Sequence, residues 1–360
     1  RQDTICRFPC AIYKPPKYEK KCDYSYYKTY KPQWVRADEL KVGDVLLFPR
    51  PKTEISFKLR VSDYLDVIVE NGFAYGYTEP PRVNRKVKHP RCKPIPNEIE
   101  LDEDFMRLCG YYIAEGCGVD EVIFSLGFHD REVAEDICEI MKNKFNLSPK
   151  IRVRPRHRLI ITFFSATLAK LFTKLFGKGA RQKQLPHCFL FLPKKQLEAL
   201  MGALIRGDGT VYRKTAPNGR EYISFTTTSE PLAFQVVLIV AKLGFIPSVL
   251  YYSKRKSYTV NICGRQANDF ALRVLKQKLN VTSNYQLAWI DDNYLYLPIR
   301  KIVESEYNGL VYNLEVDESN TYVSSFIVHN CEGPVIGIND IQKAYLQNRV
   351  VTPSNFSREM

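Results

Sequence analysis

Apolar residues recur along the middle of the chain with two interleaved periods. From residue 103 to 115, Phe105, Leu108, Cys109 and Tyr112 fall along one side of a helix. Strand-like runs follow at 122–128, 151–154 and 159–164, with helical spacing at 130–144 and 166–176. A second cycle starts at Lys194. It gives a helix to Ile205, strands near 210–212 and 223–227, a helix at 231–243, a hairpin across 249–262 and a helix at 265–279. Self-similarity at about 90 residues predicts two pseudo-symmetric halves, about 98–177 and 194–280, within an insertion at 98–290. The flanks read differently. Residues 34–47 alternate around a Val42-Gly43-Asp44 turn, and 311–316 and 322–328 alternate again, which predicts short strands of an all-β unit. Residues 1–33, rich in Lys, Tyr and Pro, show little periodicity.

Composition adds a partner class. The net charge is +14, and the excess lies upstream of Cys331, because Lys343, Arg349 and Arg358 balance Glu332, Asp340 and Glu359 in the tail. A basic body with 12% aromatic residues points to a polyanion, and a neutral tail points to a different molecule joined on. No apolar run is long enough to span a membrane. Ten cysteines without an apolar leader imply a reducing, intracellular (cytoplasmic) setting. Cys6, Cys10 and Cys22 lack both Cys-x-x-Cys spacing and a nearby His, which argues against zinc. The opening at Arg1 reads as that of a fragment.

The candidate chemistry sits at two matched segments, Leu108 to Gly116 and Met201 to Gly209. Cys109, Gly110 and Ala114 in one, and Gly202, Ala203 and Gly207 in the other, are small enough to let two helices approach backbone to backbone. Each segment ends in a carboxylate, Glu115 or Asp208, followed by a Gly expected to close the helix in the left-handed conformation. Two helix C-termini bearing two acids attract a hard cation. Mg²⁺ is the expected cofactor, with Glu115 and Asp208 as both metal-holding and catalytic residues for phosphodiester hydrolysis.

These segments resemble the paired motifs of the LAGLIDADG homing endonucleases. The resemblance covers about residues 98–290 and implies an α+β fold of two αββαββα halves, a monomer with pseudo-twofold symmetry, and cleavage of double-stranded DNA. Ile113 and Arg206 stand where the family's name motif has an acid, a variable position.

A DNA surface is expected on the hairpins. Lys150, Arg152 and Arg154 occupy every second position of a strand, with Ile151 and Val153 expected to point to the core, and Arg156 and Arg158 extend the run. Lys254, Arg255 and Lys256 mark the corresponding hairpin of the second half, with Arg213 nearby. Lys254 is also a candidate for assisting cleavage. The linker at 178–184 is expected to join the halves over the DNA, and Arg82 to Lys93 form either a further basic arm or a connector.

One more constellation lies at His329-Asn330-Cys331. An Asn amide can attack its own carbonyl carbon, closing a succinimide and breaking the Asn330–Cys331 bond, while His329 protonates the scissile amide and the Cys331 thiol accepts an acyl group. With the strands before it, this stretch resembles the C-terminal splicing blocks of inteins, although Asn320 stands where many members carry His. The resemblance implies an all-β Hint-type splicing domain split into residues 1–97 (with a connector) and 291–330, and a host protein joined at Cys331 over 331–360. An intact N-terminal nucleophile block is absent from the sequence, so complete splicing is not expected of this chain. Two alternatives stay open: a LAGLIDADG module that binds DNA or RNA without cutting, as maturases do, and a freestanding endonuclease.

Overall fold

In the computed structural model of the chain, residues 7–11, 33–36, 39–76, 93–155, 158–212, 222–282, 288–299, 302, 321–323 and 327–329 are described. They divide between two compact units, one formed by the two ends of the chain (1–51 and 285–360) and one by residues 52–284. The first unit begins with β1 (Arg7–Ala11), β2 (Gln33–Arg36) and β3 (Val45–Pro49).

The second unit starts earlier than the periodicity implies. Residues 52–97, read above as part of the N-terminal piece and connector, contribute β4 (Lys58–Arg60), β5 (Val67–Glu70), β6 (Phe73–Gly76) and β7 (Ile95–Pro96). β5, β6 and β7 form one small sheet, and β4 pairs with β8 (Glu98–Glu100). Strands this short leave almost no alternation to read. Yet Leu59, Val61, Ala74 and Ile95 are sealed into the same core as the helices that follow, and burial of that apolar surface attaches the segment to this unit.

Two cycles of αββαββα follow. The first is α1 (Glu103–Glu115), β9 (Gly116–Cys117), β10 (Val122–Gly127), α2 (Arg131–Phe145), β11 (Lys150–Arg154), β12 (Arg158–Phe163) and α3 (Ala166–Phe176). The second is α4 (Lys194–Asp208), β13 (Gly209–Tyr212), β14 (Tyr222–Thr227), α5 (Glu230–Lys242), β15 (Pro247–Tyr252), β16 (Ser257–Cys263) and α6 (Gln266–Phe270), which runs on as a π-helical turn over Ala271–Leu275. The sheets are antiparallel, in the orders β11-β12-β10-β9 and β13-β14-β16-β15.

Local chemistry sets the helix starts. Asp102 accepts a hydrogen bond from the Phe105 amide, Ser165 from Leu168 and Ser229 from Leu232, each an N-cap worth about 1 kcal/mol. α2 stops at Asn146 in the left-handed conformation, φ 51°. The fold is mixed α/β. No helix among the described residues is long and apolar enough to cross a membrane.

After the second unit the chain returns with β17 (Trp289–Ile290), β18 (Tyr294–Pro298), β19 (Thr321–Val323) and β20 (Ile327–His329). These complete a sheet ordered β17-β18-β3-β1-β20-β19, with β2 also paired to β1. Arg7 in β1 faces His329 in β20, so one ladder joins the two ends of the chain. Trp289 and Tyr296 stack at 4.7 Å over the small core of Val45 and Leu47.

Candidate active site and nucleic-acid interface

The close approach begins with missing side chains. A Cβ on Gly110 would lie 2.5 Å from the Leu200 carbonyl oxygen and 2.7 Å from the Ala203 methyl, and one on Gly207 would collide with the Ala114 methyl. Contacts thus advance in step along both helices, 110 against 200–204 and 114 against 207. α1 and α4 therefore run parallel, and their C-terminal ends come together. Gly202 faces elsewhere, with the Val274 carbonyl oxygen where its Cβ would be.

The glycines after the acids correct one expectation. Gly116 (φ −91°, ψ 146°) and Gly209 (φ −98°, ψ 170°) are extended, not left-handed, because β9 and β13 begin there without a turn. Glycine is required by space instead. A Cβ would sit 2.6 Å from Tyr112 Cα at one position and 2.5 Å from the Ile205 carbonyl oxygen at the other.

Glu115 and Asp208 feel each other. Burial pushes the Glu115 carboxyl up to about 7, with the charges of Asp208 and then Asp130 adding to the rise. Burial also raises Asp208, to about 6, against a downward pull from Lys183. Asp208 stays open to solvent, and water softens the effect of burial on it. Glu115 is the acid held more firmly in its protonated form. A pair of carboxylates that resists ionisation next to two helix C-termini is a pair awaiting a cation.

The cation that the fold itself supplies is Lys183. Its ammonium donates to the Tyr112 carbonyl at 2.7 Å and the Gly116 carbonyl at 2.9 Å and lies 4.1 Å from the centre of the Tyr112 ring. It thereby satisfies the carbonyls at the end of α1. Burial pushes its pKa down to about 8, while the Cys117 thiol and Asp208 pull it back up. Lys183 belongs to the linker expected to lie over the DNA. Instead, the residue is buried, with its own carbonyl accepting from Ser229 Oγ at 2.5 Å. Gln235 then clamps the next turn through both the amide and carbonyl of Leu185, each at 2.8 Å. The alternation of basic residues in that linker resembles a solvated loop, and no sequence signal singles out Lys183.

Arg206, at the variable motif position, reaches the Tyr111 hydroxyl at 3.4 Å. That hydroxyl donates to Asp136, which also receives two bonds from Arg107 at 2.9 Å. A charged chain thus ties α4 to α1 and α2 just behind the acids.

The basic candidates fall in three places. Lys150, Arg152, Arg154 and Arg158 line one face of the first sheet, with Lys150 opposite Thr162, Arg152 opposite Ile160 and Arg154 opposite Arg158. Ile151 and Val153 do not enter the core as expected. They are 53% and 65% exposed, because β11 is the edge strand and all five of its residues stay open to solvent. Lys254, Arg255 and Lys256 are exposed at the β15–β16 turn. β15 is three strands removed from β13, where the Asp208 segment enters the sheet. Lys254 is therefore roughly 20 Å from the acids by strand spacing and rise. It is placed for a distant phosphate, and the lysine beside the acids is Lys183. Arg156, Arg213, Asn330 and Cys331 lie outside the described residues, as does the 82–92 stretch of the basic arm. His329 is described only as a strand residue. Among the described residues no cluster of three or more His, Cys, Asp or Glu could hold a metal, so an ion here would draw on two carboxylates, carbonyls, water and substrate.

Residues 195–274 match the family model for a LAGLIDADG-like domain. The chain carries a LAGLIDADG-like domain. Among curated proteins, the chain is 34% identical to the uncharacterised protein MJ0043 of Methanocaldococcus jannaschii over 92% of its own length and 40% of that protein's. It is 29% identical to the ATP-dependent DNA helicase Hel308 of Thermococcus kodakarensis over 84% of the chain and 28% of the helicase. An iron-sulfur cluster assembly SufBD family protein of Mycobacterium tuberculosis matches at 25% identity over 88% and 33%. The chain thus spans well under half the length of these relatives. Among solved structures, variants of the homing endonuclease I-DmoI align with a TM-score of 0.39 at 16% identity, over 50% of this chain and 99% of theirs. The N-terminal LAGLIDADG domain of DUF199/WhiA aligns with a TM-score of 0.37 at 13% identity, over 50% and 85%.

The Glu115 shift carries a stability consequence. Its folded pKa, about 7, lies above its ordinary value of 4.5, so between those values the folded chain holds a proton that the unfolded chain has lost. This group's contribution therefore falls as pH rises through that window. Without metal, Glu115→Gln is expected to stabilise the protein at pH 8 by about 1–2 kcal/mol, discounted for water access, and to do little at pH 4. Thermal melts at both pH values check this. Equal shifts at pH 4 and pH 8 would contradict it.

Proposed function

We propose that the chain is a metal-dependent endonuclease of double-stranded DNA, held within a polypeptide that cleaves itself at the Asn330–Cys331 bond. The nuclease reading is carried by one observation: tight parallel packing of α1 and α4 brings Glu115 and Asp208 into each other's field at the ends of two helices. The LAGLIDADG-like domain supports it.

The donor set suits Mg²⁺: hard oxygen ligands, few in number, with solvent access at Asp208 for waters and phosphate oxygens. Glu115 and Asp208 would hold the ion. When bound, it supplies Lewis-acid stabilisation of the leaving oxygen and acidifies a ligated water. The chain's own residues do the rest. Glu115 and Asp208 must shed the protons that burial favours. Lys183 keeps positive charge beside Asp208, where charge builds on a scissile phosphate, and fixes the end of α1. Lys150, Arg152, Arg154 and Arg158 hold backbone phosphates and guanine edges, which makes duplex DNA the partner of a monomer whose two halves each approach one half of a single site. The test is incubation of a randomised duplex pool with the protein and Mg²⁺, followed by capture of new ends. Discrete cut sites support the proposal, whereas DNA held intact supports a binding module.

A specific observation favours the self-cleaving reading. β1 and β20 share a ladder, Arg7 opposite His329, so a strand from the start of the chain pairs with the one that ends at His329. Similar segments also occur within proteins of unrelated name, a helicase and an iron-sulfur assembly protein among them, and each match fills only part of that protein. That is how a self-removing insert is distributed. In this reading residues 331–360 belong to a host protein. Mass spectrometry is expected to show slow loss of the 331–360 peptide, abolished by Asn330→Ala. An unchanged mass over days, or loss that persists in Asn330→Ala, would refute it.

A further inference from the structure

The two sheets of the second unit share a topology but not a chemistry. The first, β9 to β12, carries four basic side chains on the face that holds Lys150, Arg152, Arg154 and Arg158. The second, β13 to β16, contains no charged residue in any of its four strands. Its register puts Tyr212, Tyr222, Ser224, Asn261, Leu250 and Tyr252 on one face. The opposite face supplies Ile223, Phe225, Val260 and Ile262 to the core. The polar face is therefore the one turned away from the helices, matching the basic face of the first half.

That surface carries hydroxyls, aromatic rings and one aliphatic side chain, with the Asn261 amide and the Cys263 thiol among them. Leu250 and Tyr252 are 47% and 49% exposed, and Tyr212 stacks on Tyr222 with ring centres 4.4 Å apart. On its floor Asn261 is 93% buried, and its Oδ1 accepts no hydrogen bond from the described residues. Lys254, Arg255 and Lys256 sit just beyond Tyr252, at the tip of the same hairpin. Positive charge at the tip with none along the strands suits an occupant whose phosphates lie at the margin and whose uncharged surface lies against the sheet. A duplex seated by its groove has that arrangement.

We infer that the two halves read the two ends of one DNA site by different chemistry: the first by charged contacts to phosphates and guanines, the second by uncharged contacts in which Leu250 and Tyr252 pack on thymine methyl groups. The inference rests on the endonuclease reading and adds a division of labour to it. Thymine is the base whose major-groove edge carries a methyl group, on which Leu250 and the ring of Tyr252 can pack, and a leucine offers guanine no hydrogen bond. Discrimination by the second half should therefore be insensitive to salt, whereas attachment by the first should weaken steeply with it.

The experiment uses the full chain and duplexes selected from a randomised pool, with footprints of Arg152→Ala identifying the half-site that the first sheet covers. Replacing thymine by deoxyuridine in the other half-site is expected to weaken retention roughly fourfold per base, the worth of one buried methyl. The same replacement in the first half-site is expected to have no effect. Leu250→Ser with Tyr252→Ser, both at exposed positions, should remove the deoxyuridine effect and leave the salt dependence unchanged. Lys150→Ala, Arg152→Ala and Arg154→Ala should each lower the slope of log affinity against log salt by about 0.9. Equal deoxyuridine effects in the two half-sites, or a changed salt slope in the Leu250/Tyr252 variant, would overturn the inference and leave the nuclease standing. Failure of the unaltered protein to retain any duplex would overturn both.

Discussion

Asp208→Asn is expected to lower DNA cleavage by about a hundredfold to a thousandfold, the scale on which one properly placed charged or polar group acts in a transition state, while duplex retention changes little. Asparagine keeps the size and one oxygen of the aspartate but removes the charge. Glu115 would then be the sole anionic ligand at the helix ends, and one carboxylate among neutral donors holds a hard divalent ion weakly. Binding is spared because the phosphate contacts come from the strands. A second readout separates lost chemistry from lost folding. With Asp208 neutral, one of the charges that raise Glu115 is gone, so the Glu115 carboxyl should titrate below its present value of about 7. Carbonyl NMR of labelled glutamate would record that fall. An Asp208→Asn protein that still cuts at wild-type rate removes Asp208 from the chemistry.

Gly110→Ala is expected to destabilise the second unit by about 3 kcal/mol, at the upper end of what overpacking costs. The added methyl meets the Leu200 carbonyl oxygen at 2.5 Å and approaches the Leu204 amide at 3.0 Å. Both obstacles are backbone and cannot swing aside as a side chain would. The intrinsic preference of alanine for helix, about 1 kcal/mol over glycine, offsets part of the cost. In a domain of this size the net loss should lower the melting temperature by roughly 6–12 °C. Relief of the clash requires the helices to part, which separates Glu115 from Asp208. Misplacement near 1 Å costs about a hundredfold in rate, so activity should fall at temperatures where the variant is still folded. Unchanged melting and cleavage would mean that the helices do not need to touch.

The features legible in the sequence were those whose signal is local. Gly110, Gly207 and the two acids announce themselves because small residues and carboxylates recur at matched places, and the helix packing follows from them. The order of helices and strands was legible, apart from the two-residue β9, because apolar periods of 3.6 and 2 alternate between residues 103 and 263. What escaped depended on tertiary surroundings. Lys183 sits among Lys178 and Arg181 in what looks like a solvated loop, and only the fold shows that α1 and α5 enclose it. Ile151 and Val153 alternate like core residues, but their edge strand is exposed on both sides. The glycines after the acids read as left-handed helix caps, whereas they are extended and the space a Cβ would need is taken by the preceding helical turn. Residues 52–97 gave no period because three- and four-residue strands contain too few positions to show one.

The most direct test of the two-carboxylate site is a crystal structure of the protein with its selected duplex and Ca²⁺, a hard ion that slows turnover and marks the position. A single cation bridging carboxylate oxygens of both Glu115 and Asp208 at about 2.3–2.6 Å, with a DNA phosphate oxygen completing its shell, is the predicted result. Cations bound by only one of the two acids, or a duplex phosphate held away from both, would contradict it.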